Sequence, residues 1–212
     1  MLDFGHNCAT SLPEEIGTLR NLQYLYLSDN GFSQVPNSMT QLQQLRYLNM
    51  TDDKLTLFPQ EFYSLAALQE LRLYNNQIAA LPANSSKMCQ LRELHLMNNR
   101  LETLPEEIAQ MAALQVIDLE KNAIARLPEQ FCQLQKLTTL NLRSNLLTEL
   151  PEEFGKLSSL VSLNLRANRL TRLPQSMGKM KALRRLDLRW NSLSHCTPVI
   201  EQLIKQGCMV HY

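Results

Sequence analysis

Residues 137–157 have the sequence LTTLNLRSNLLTELPEEFGKL, and the pattern of this stretch decides the fold of the chain. Its first leucine returns at a constant 23-residue spacing without an insertion, at Leu22, Leu45, Leu68, Leu91, Leu114, Leu137, Leu160 and Leu183. An unbroken period of this length is typical of a solenoid, in which each repeat contacts only its neighbours. The sequence therefore predicts one continuous core built from stacked repeats.

The LxL segment of each repeat alternates apolar and polar residues, which is the periodicity of a β-strand. Its leucines are expected to point into the solenoid, and the intervening residues are expected to point outward. An asparagine follows each strand, except in one repeat where Asp53 replaces it. Because a buried amide needs hydrogen-bond partners, we expect the stacked asparagines to bond backbone groups. Asp53 is expected to form a weaker rung, since a carboxylate accepts but does not donate.

A Leu-Pro pair, or a close variant of it, opens the return limb, the half of each repeat that leads back to the next strand. Eight of the nine prolines occupy this one place, at Pro13, Pro36, Pro59, Pro82, Pro105, Pro128, Pro151 and Pro174. Proline suits the first turn of a helix, so the pattern predicts short helices or helical turns on the convex side. Paired glutamates after some prolines, such as Glu152 and Glu153, are interpreted as helix-start stabilisation rather than an acid/base pair.

The repeat pattern predicts a single domain over residues 1–212. A truncated first repeat covers 1–21, repeats with the 23-residue spacing cover 22–196, and a capping helix and strand cover 197–212. Cys208 and Val210 follow Leu186 and Leu188 at a spacing one residue shorter than the repeat, which predicts a slightly shortened closing repeat. The first strand has no polar cap, so we expect a monomer unless this N-terminal edge self-associates.

Composition narrows the classes of function. A net charge of +1 argues against a dedicated nucleic-acid binder, and no apolar run approaches the roughly 20 residues of a membrane span. The first residues lack the basic segment and apolar core of a signal peptide. The five cysteines are odd in number and include no CxxC pair, so we expect no metal or redox site. A reducing, cytoplasmic location is predicted.

The repeat resembles that of the leucine-rich repeat superfamily, and the resemblance covers nearly the whole chain. The 23-residue Leu-Pro subtype, seen for example over residues 12–19, is similar to the intracellular Ras-binding-type repeats and to stand-alone bacterial leucine-rich repeat proteins. The resemblance implies an α/β, right-handed solenoid (a horseshoe) with a parallel sheet on its concave face. It also implies a protein-binding role, and it supplies no catalytic residue.

The sequence carries no catalytic signature and indicates no cofactor. It lacks HExxH, a glycine-rich phosphate loop, a nucleophile elbow and a kinase signature. His95 lies near the middle of a strand, with Glu70 and Glu93 at adjacent positions. No serine or cysteine nucleophile shares that part of the face, so an ordinary solvent-facing histidine is the favoured interpretation.

Outward positions on the strands hold the candidate binding residues, since register stacks equivalent residues about 4.8 Å apart. Aromatic residues gather toward the N-terminal end, arginines toward the C-terminal end, and charges of both signs lie between. The candidate set is Tyr24, Tyr26, Tyr47, Arg72, Tyr74, Glu93, His95, Met97, Asp118, Glu120, Arg143, Arg166, Arg185, Arg189 and Trp190. Aromatic residues dominate interface hot spots, although tyrosine is also simply a good strand residue.

These observations predict a non-enzymatic module that binds a protein partner on its concave face. The arginines are interpreted either as solvated, partly neutralised side chains or as a dock for an acidic segment or phosphate of that partner. Two alternatives stay open for the whole protein. It could be the substrate-targeting part of a larger signalling enzyme or ubiquitin ligase, or the repeat portion of a bacterial effector.

Overall fold

The computed structural model of the chain describes residues 1–194 and 198–212. Ten strands form one open parallel sheet, and their order in the sheet is their order in the sequence. The strands are β1 Leu2–Asp3, β2 Tyr24–Tyr26, β3 Tyr47–Asn49, β4 Glu70–Arg72, β5 Glu93–His95, β6 Val116–Asp118, β7 Thr139–Asn141, β8 Ser162–Asn164, β9 Arg185–Asp187 and β10 Met209–His211. The predicted solenoid with one strand per repeat is confirmed.

The register between neighbouring strands follows the repeat. Leu48 on β3 pairs with Leu71 on β4, and the same 23-residue offset holds from β1 to β9. The closing strand departs from it, because Val210 pairs with Leu186. This last offset is one residue longer than the repeat, so the expectation of a shortened closing repeat, with Val210 aligned to Leu188, is wrong. Residues 195–197, which join the repeats to the last helix, lie outside the described part of the chain.

Short 3-10 helices occupy the return limbs. They span Glu14–Thr18, Asn37–Gln41, Gln60–Ser64, Ala83–Lys87, Glu106–Gln110, Glu129–Gln133, Phe154–Lys156 and Gln175–Lys179. One α-helix, α1 Pro198–Lys205, covers the last return limb and packs its buried residues Val199, Ile200 and Leu203 inward. The predicted short helices are confirmed, and in the repeats described here they are 3-10 rather than α-helices.

The repeated proline stands just outside these helices rather than in their first turn. Pro13 has an extended backbone, with φ −72° and ψ 152°, and the helix begins at the next residue. Its carbonyl oxygen accepts a hydrogen bond from the Ile16 N–H at 3.1 Å. Proline thus sets the extended entry to the helix, where its missing N–H is again no loss.

The core is a set of leucine columns that run the length of the solenoid. Leu48, Leu71 and their equivalents in successive repeats are shielded from solvent, and Phe62, Phe131 and Phe154 fill the space under the return limbs. Each column is continuous across repeats, so every repeat buries its apolar face only against its neighbours. This rigid stack fixes the positions of the outward-facing residues.

The asparagine ladder has the predicted bonding. Asn76 donates to the carbonyl oxygens of Leu73 in its own repeat and Met50 in the preceding one, and its Oδ1 accepts from the Leu55 N–H at 3.0 Å. The same three bonds recur around Asn99, Asn122, Asn145 and Asn168. Asp53 accepts the Phe32 N–H at 3.1 Å, and its second carboxylate oxygen is buried without a partner in the described residues.

Candidate protein-binding face

The outward side of the sheet, here called the sheet face, carries the predicted residues. The first and third residues of each strand, and the residue two positions after it, point away from the leucine core. All of the predicted residues except Trp190 occupy such positions. Trp190 lies in the turn after β9 and reaches back over the face. Sequence periodicity therefore located the face, while the contacts made on it come from the structure.

Three tyrosine rings form a contiguous group at the N-terminal end of the face. The ring centroids of Tyr26 and Tyr47 are 4.8 Å apart, and those of Tyr24 and Tyr47 are 6.5 Å apart. The Arg72 guanidinium lies over the Tyr47 ring, with Cζ 5.6 Å from its centroid. We call Tyr24, Tyr26, Tyr47 and Arg72 the tyrosine cluster. Partial burial raises the pKa of the Tyr47 hydroxyl above its ordinary value.

Tyr74 is set apart from the paired rings. It follows β4 by two residues and occupies the same column as Met97 and Glu120 in the next two repeats. Its side chain is half-buried. The four predicted tyrosines therefore form a cluster of three with one neighbour beside it, rather than a single stack.

The middle of the face is a charged cluster formed by Glu70, Arg72, Glu93 and His95. Glu70 and Glu93 are register partners on β4 and β5, and so are Arg72 and His95. Arg72 Nε lies 2.6 Å from Glu70 Oε1, and His95 Nε2 lies 3.2 Å from Glu93 Oε2. Each strand therefore pairs its own glutamate with its own basic side chain. This arrangement relieves the repulsion expected between like charges on adjacent strands.

The same cluster places three potential metal-ligand atoms, from Glu70, Glu93 and His95, within 4.8 Å of one another. Arg72 already occupies one of these carboxylates at hydrogen-bond distance. A cation bound there would compete with the positive charge of the guanidinium for this carboxylate. We interpret the group as a charge network that holds polar side chains in fixed positions on the sheet.

Next to this cluster lie the acidic residues Asp118 and Glu120, both half-buried. Burial raises the pKa of the Asp118 carboxyl, although its hydrogen bonds to the Glu120 N–H and Asn141 lower it. Glu120 accepts a hydrogen bond from Asn141 Nδ2 at 3.0 Å and lies 3.6 Å from Arg143. The acidic middle of the face thus passes directly into the arginines of the C-terminal end.

Arg143, Arg166, Arg185 and Arg189, here called the arginine patch, are not equivalent. Arg189 donates hydrogen bonds to Asp187 from Nε at 3.0 Å and from Nη2 at 2.5 Å, and these bonds lower the pKa of the Asp187 carboxyl. Arg143 has a longer ion pair, with Glu120. Arg166 Cζ lies 3.8 Å from the centroid of the Trp190 ring. Arg143, Arg166 and Arg189 share the 23-residue spacing, yet each has a different side-chain partner.

Sequence reasoning missed a second polar column that positions this patch. The last residue of several strands is Asn or Asp, and its Oδ1 accepts the N–H two residues later. Asn141 accepts from Arg143, Asn164 from Arg166, and Asp187 from Arg189, at 3.1–3.2 Å. The signal was present as Asn or Asp at a 23-residue spacing. This hydrogen bond fixes the backbone conformation at Arg143, Arg166 and Arg189.

The matching family model is the leucine-rich repeat region, which covers residues 1–82 and 82–206. The chain therefore belongs to the leucine-rich repeat family. The sheet face just described is the kind of extended surface that repeat proteins use for binding other proteins. Among proteins with curated descriptions, none matches the chain.

Three solved structures show the similarity in detail. A leucine-rich repeat protein of Leptospira interrogans is 35% identical with a TM-score of 0.91, over 97% of this chain and 53% of its own. The ectodomain of the Arabidopsis thaliana receptor kinase GASSHO1/SCHENGEN3, in complex with CASPARIAN STRIP INTEGRITY FACTOR 2, is 29% identical with a TM-score of 0.79, over 95% and 25%. The plant peptide hormone receptor RGFR1, in complex with RGF2, is 28% identical with a TM-score of 0.66, over 86% and 34%.

The chain thus spans about half the length of the Leptospira protein and a smaller share of the two plant receptors. In the described part of the chain, every helix is too short or too polar to cross a lipid bilayer.

Proposed function

We propose that this chain is a non-enzymatic interaction module that binds a protein partner on the sheet face. The observation that carries the proposal is the tyrosine cluster. It groups three aromatic rings and a guanidinium over one of them on the sheet, with Tyr24 41% exposed. Tyrosine and arginine are enriched among the residues that dominate interface energetics. Their side chains lose little freedom on binding when they are already packed against one another.

The two ends of the face give the partner distinct points of contact. The tyrosine cluster supplies apolar area, and the arginine patch favours a partner that carries an acidic segment. Five strand spacings separate β3 from β8, so these two strands lie about 24 Å apart. An extended segment of about seven residues spans that distance. The charges would set orientation and association rate more than final affinity.

The plant relatives support a polypeptide partner. Both were solved as complexes with named ligands, and one is described as a peptide hormone receptor. Their fold is the one found here, and the length of the present sheet is sufficient for a segment laid across several strands. For the protein as a whole, a role in targeting a signalling enzyme or ubiquitin ligase, or as part of a bacterial effector, stays a hypothesis. The cytoplasmic location and monomeric state also stay predictions.

Removing the tyrosine cluster tests the proposal. Changing Tyr24, Tyr26 and Tyr47 together to serine is expected to weaken capture of the partner roughly tenfold or more, because the loss removes hot-spot area. The measurement is a paired pull-down with quantitative mass spectrometry, using the parent and variant chains as baits. Thermal unfolding of both baits must show that the variant is folded.

Tyr212 provides the control for this experiment. It is 62% exposed and lies at the opposite end of the chain from the tyrosine cluster. A Tyr212→Ser variant should capture the same proteins as the parent. Equal capture by the parent and the triple variant would show that the partner does not bind at the tyrosines.

A further inference from the structure

Two arginines of the patch, Arg166 and Arg185, form no ion pair within the described residues, whereas Arg189 is bonded to Asp187 and Arg143 pairs with Glu120. Arg185 is exposed to solvent, but Arg166 is half-buried. The Nε atoms of Arg143 and Arg166 are shielded from solvent and meet no hydrogen-bond acceptor in the described part of the chain. A buried donor without an acceptor is unusual in a folded protein and calls for an explanation.

Trp190 holds the Arg166 guanidinium from one side. Its backbone lies in the left-handed region, with φ 61°, and its side chain is largely exposed. That backbone region is uncommon for a bulky residue, and most equivalent positions in this chain hold Asp, Asn or a small residue. The indole ring covers one face of the guanidinium, with Arg166 Cζ 3.8 Å from the ring centroid. Because Nε is shielded, a ligand would meet the terminal N–H groups of the guanidinium.

We propose that Arg166, fixed by Trp190 and assisted by Arg143, binds a side-chain carboxylate of the protein partner. The inference rests on the proposed function and names the chemistry of one contact within it. Asn141 and Asn164, from whose turns the two arginines project, are register partners on β7 and β8. The arginines therefore start about 4.8 Å apart, within reach of a single carboxylate. Charge-assisted bonds from two guanidinium groups are strong and directional.

The surroundings favour an anion. Four arginines against the carboxylates of Glu120 and Asp187 leave a net charge of +2 on the patch. Both carboxylates lie close to the arginines that would bind the ligand, and the positive charge of Arg166 helps to lower the pKa of the Asp187 carboxyl. A protein partner offers carboxylates on its ordinary Asp and Glu side chains, whereas a phosphate would require a modified partner, so the carboxylate is the anion proposed.

Trp190 is the only tryptophan of the chain, so its fluorescence reports directly on Arg166. Titration with a hexaglutamate peptide at an ionic strength of about 0.1 M, where the Debye length is about 10 Å, is expected to change the Trp190 emission in a saturable way. Substitution of Arg166 or Trp190 changes the starting fluorescence of the protein. The affinities of these variants for hexaglutamate are therefore measured by isothermal titration calorimetry. Arg166→Gln is expected to weaken hexaglutamate binding roughly tenfold, as for loss of a charge-assisted contact.

Arg126→Gln is the charge-matched control, because Arg126 is exposed on a return limb beside Glu149 and away from the sheet face. Its removal should change the affinity less than about twofold, since distant exposed charges are largely screened. A Trp190→Phe variant keeps an aromatic ring and should retain binding by calorimetry. Circular dichroism confirms that each variant is folded.

Several outcomes would overturn the proposal. These are a non-saturable response, equal losses in Arg126→Gln and Arg166→Gln, or tighter binding of inorganic phosphate than of hexaglutamate. The paired pull-down separates this result from the wider function. If Arg166→Gln still captures a partner that the tyrosine variant loses, the carboxylate site is wrong and the module stands. If neither variant loses a partner, the proposed function is wrong as well.

Discussion

Changing Asp53 to asparagine is expected to stabilise the folded chain by up to about 3 kcal/mol at neutral pH. Burial raises the pKa of the Asp53 carboxyl from its ordinary value of 3.8 to about 6, against hydrogen bonds from the backbone of Phe32 and Asn30 that lower it. Each pKa unit corresponds to about 1.4 kcal/mol, which gives the upper size of the effect. The side chain is only 7% exposed, so solvent screens little of it.

The geometry of the asparagine ladder explains why the Asp53 carboxylate destabilises the folded chain. In the other rungs the amide nitrogen donates to two carbonyl oxygens, one in its own repeat and one in the preceding repeat, as Asn76 does to Leu73 and Met50. The equivalent carbonyls for position 53 are those of Met50 and Leu27. Asp53 presents a carboxylate oxygen at this place, and that oxygen has no partner in the described residues. An asparagine would supply the missing donor.

The effect should depend on pH with a defined sign. Because the folded-state pKa of Asp53 is raised, folding favours the protonated acid, and the folded state loses stability as pH rises from about 4 through about 6. Above about pH 6 the full cost is present. The advantage of Asp53→Asn should therefore be largest at neutral pH and should shrink as pH falls toward 4.

Urea denaturation of the parent and Asp53→Asn chains at neutral pH and near pH 4 measures both quantities. The reciprocal change Asn76→Asp, in the next rung, is the matched control and should destabilise the chain at neutral pH. Equal stabilities of parent and Asp53→Asn at both pH values would show that the carboxylate is satisfied in solution. The pH dependence attributed to Asp53 would then belong to other groups.

The sequence was sufficient to predict these features because they repeat. A 23-residue spacing fixes which residues meet across strands, so Leu48 must lie beside Leu71 and Asn76 beside Asn99 in any stacked arrangement. The weak rung at Asp53 follows from the same rule, since one chemical change in a regular column alters one set of bonds. In a stacked repeat protein, residues separated by one repeat length are neighbours in the folded structure.

The ion pairs that individual arginine side chains form could not be predicted from the repeat spacing. Arg143, Arg166 and Arg189 share one spacing, yet Asp187 bonds Arg189 and Glu120 pairs with Arg143. These outcomes depend on side-chain conformations and on the residue that happens to precede each arginine. Trp190 could be placed at the C-terminal end of the face from sequence. Its stacking on Arg166 requires the left-handed turn, which no alternation of residues reveals.

The closing repeat shows a third limit. The alternation at Cys208 and Val210 correctly indicated a strand, but its predicted alignment of Val210 with Leu188 is wrong, because the structure aligns Val210 with Leu186. The helix α1, longer than the 3-10 helices of the preceding repeats, lies between these strands. A longer return limb delivers the chain to the sheet one residue later than the repeat predicts. The repeat spacing therefore does not predict strand alignment where a repeat differs in length.

Changing Leu142 to alanine is expected to destabilise the chain by roughly 2–5 kcal/mol, the range for a leucine removed from a packed core. Leu142 is fully buried in the central part of the solenoid. Its backbone carbonyl accepts hydrogen bonds from both Asn145 and Asn168, which the substitution leaves in place. The loss therefore reports side-chain packing rather than the ladder.

Two leucine variants make the Leu142 measurement decisive. Leu142→Met keeps most of the volume and should cost less than about 1.5 kcal/mol. Leu57→Ala removes the same atoms from a leucine that is 78% exposed, and it should change stability by no more than about 0.5 kcal/mol. Urea denaturation measures the stability of all three variants.

Similar losses of stability at Leu57 and Leu142 would mean that the leucine columns do not set stability. A large loss at Leu142 alone would show that the buried leucine columns, which run through neighbouring repeats, set the stability of the chain.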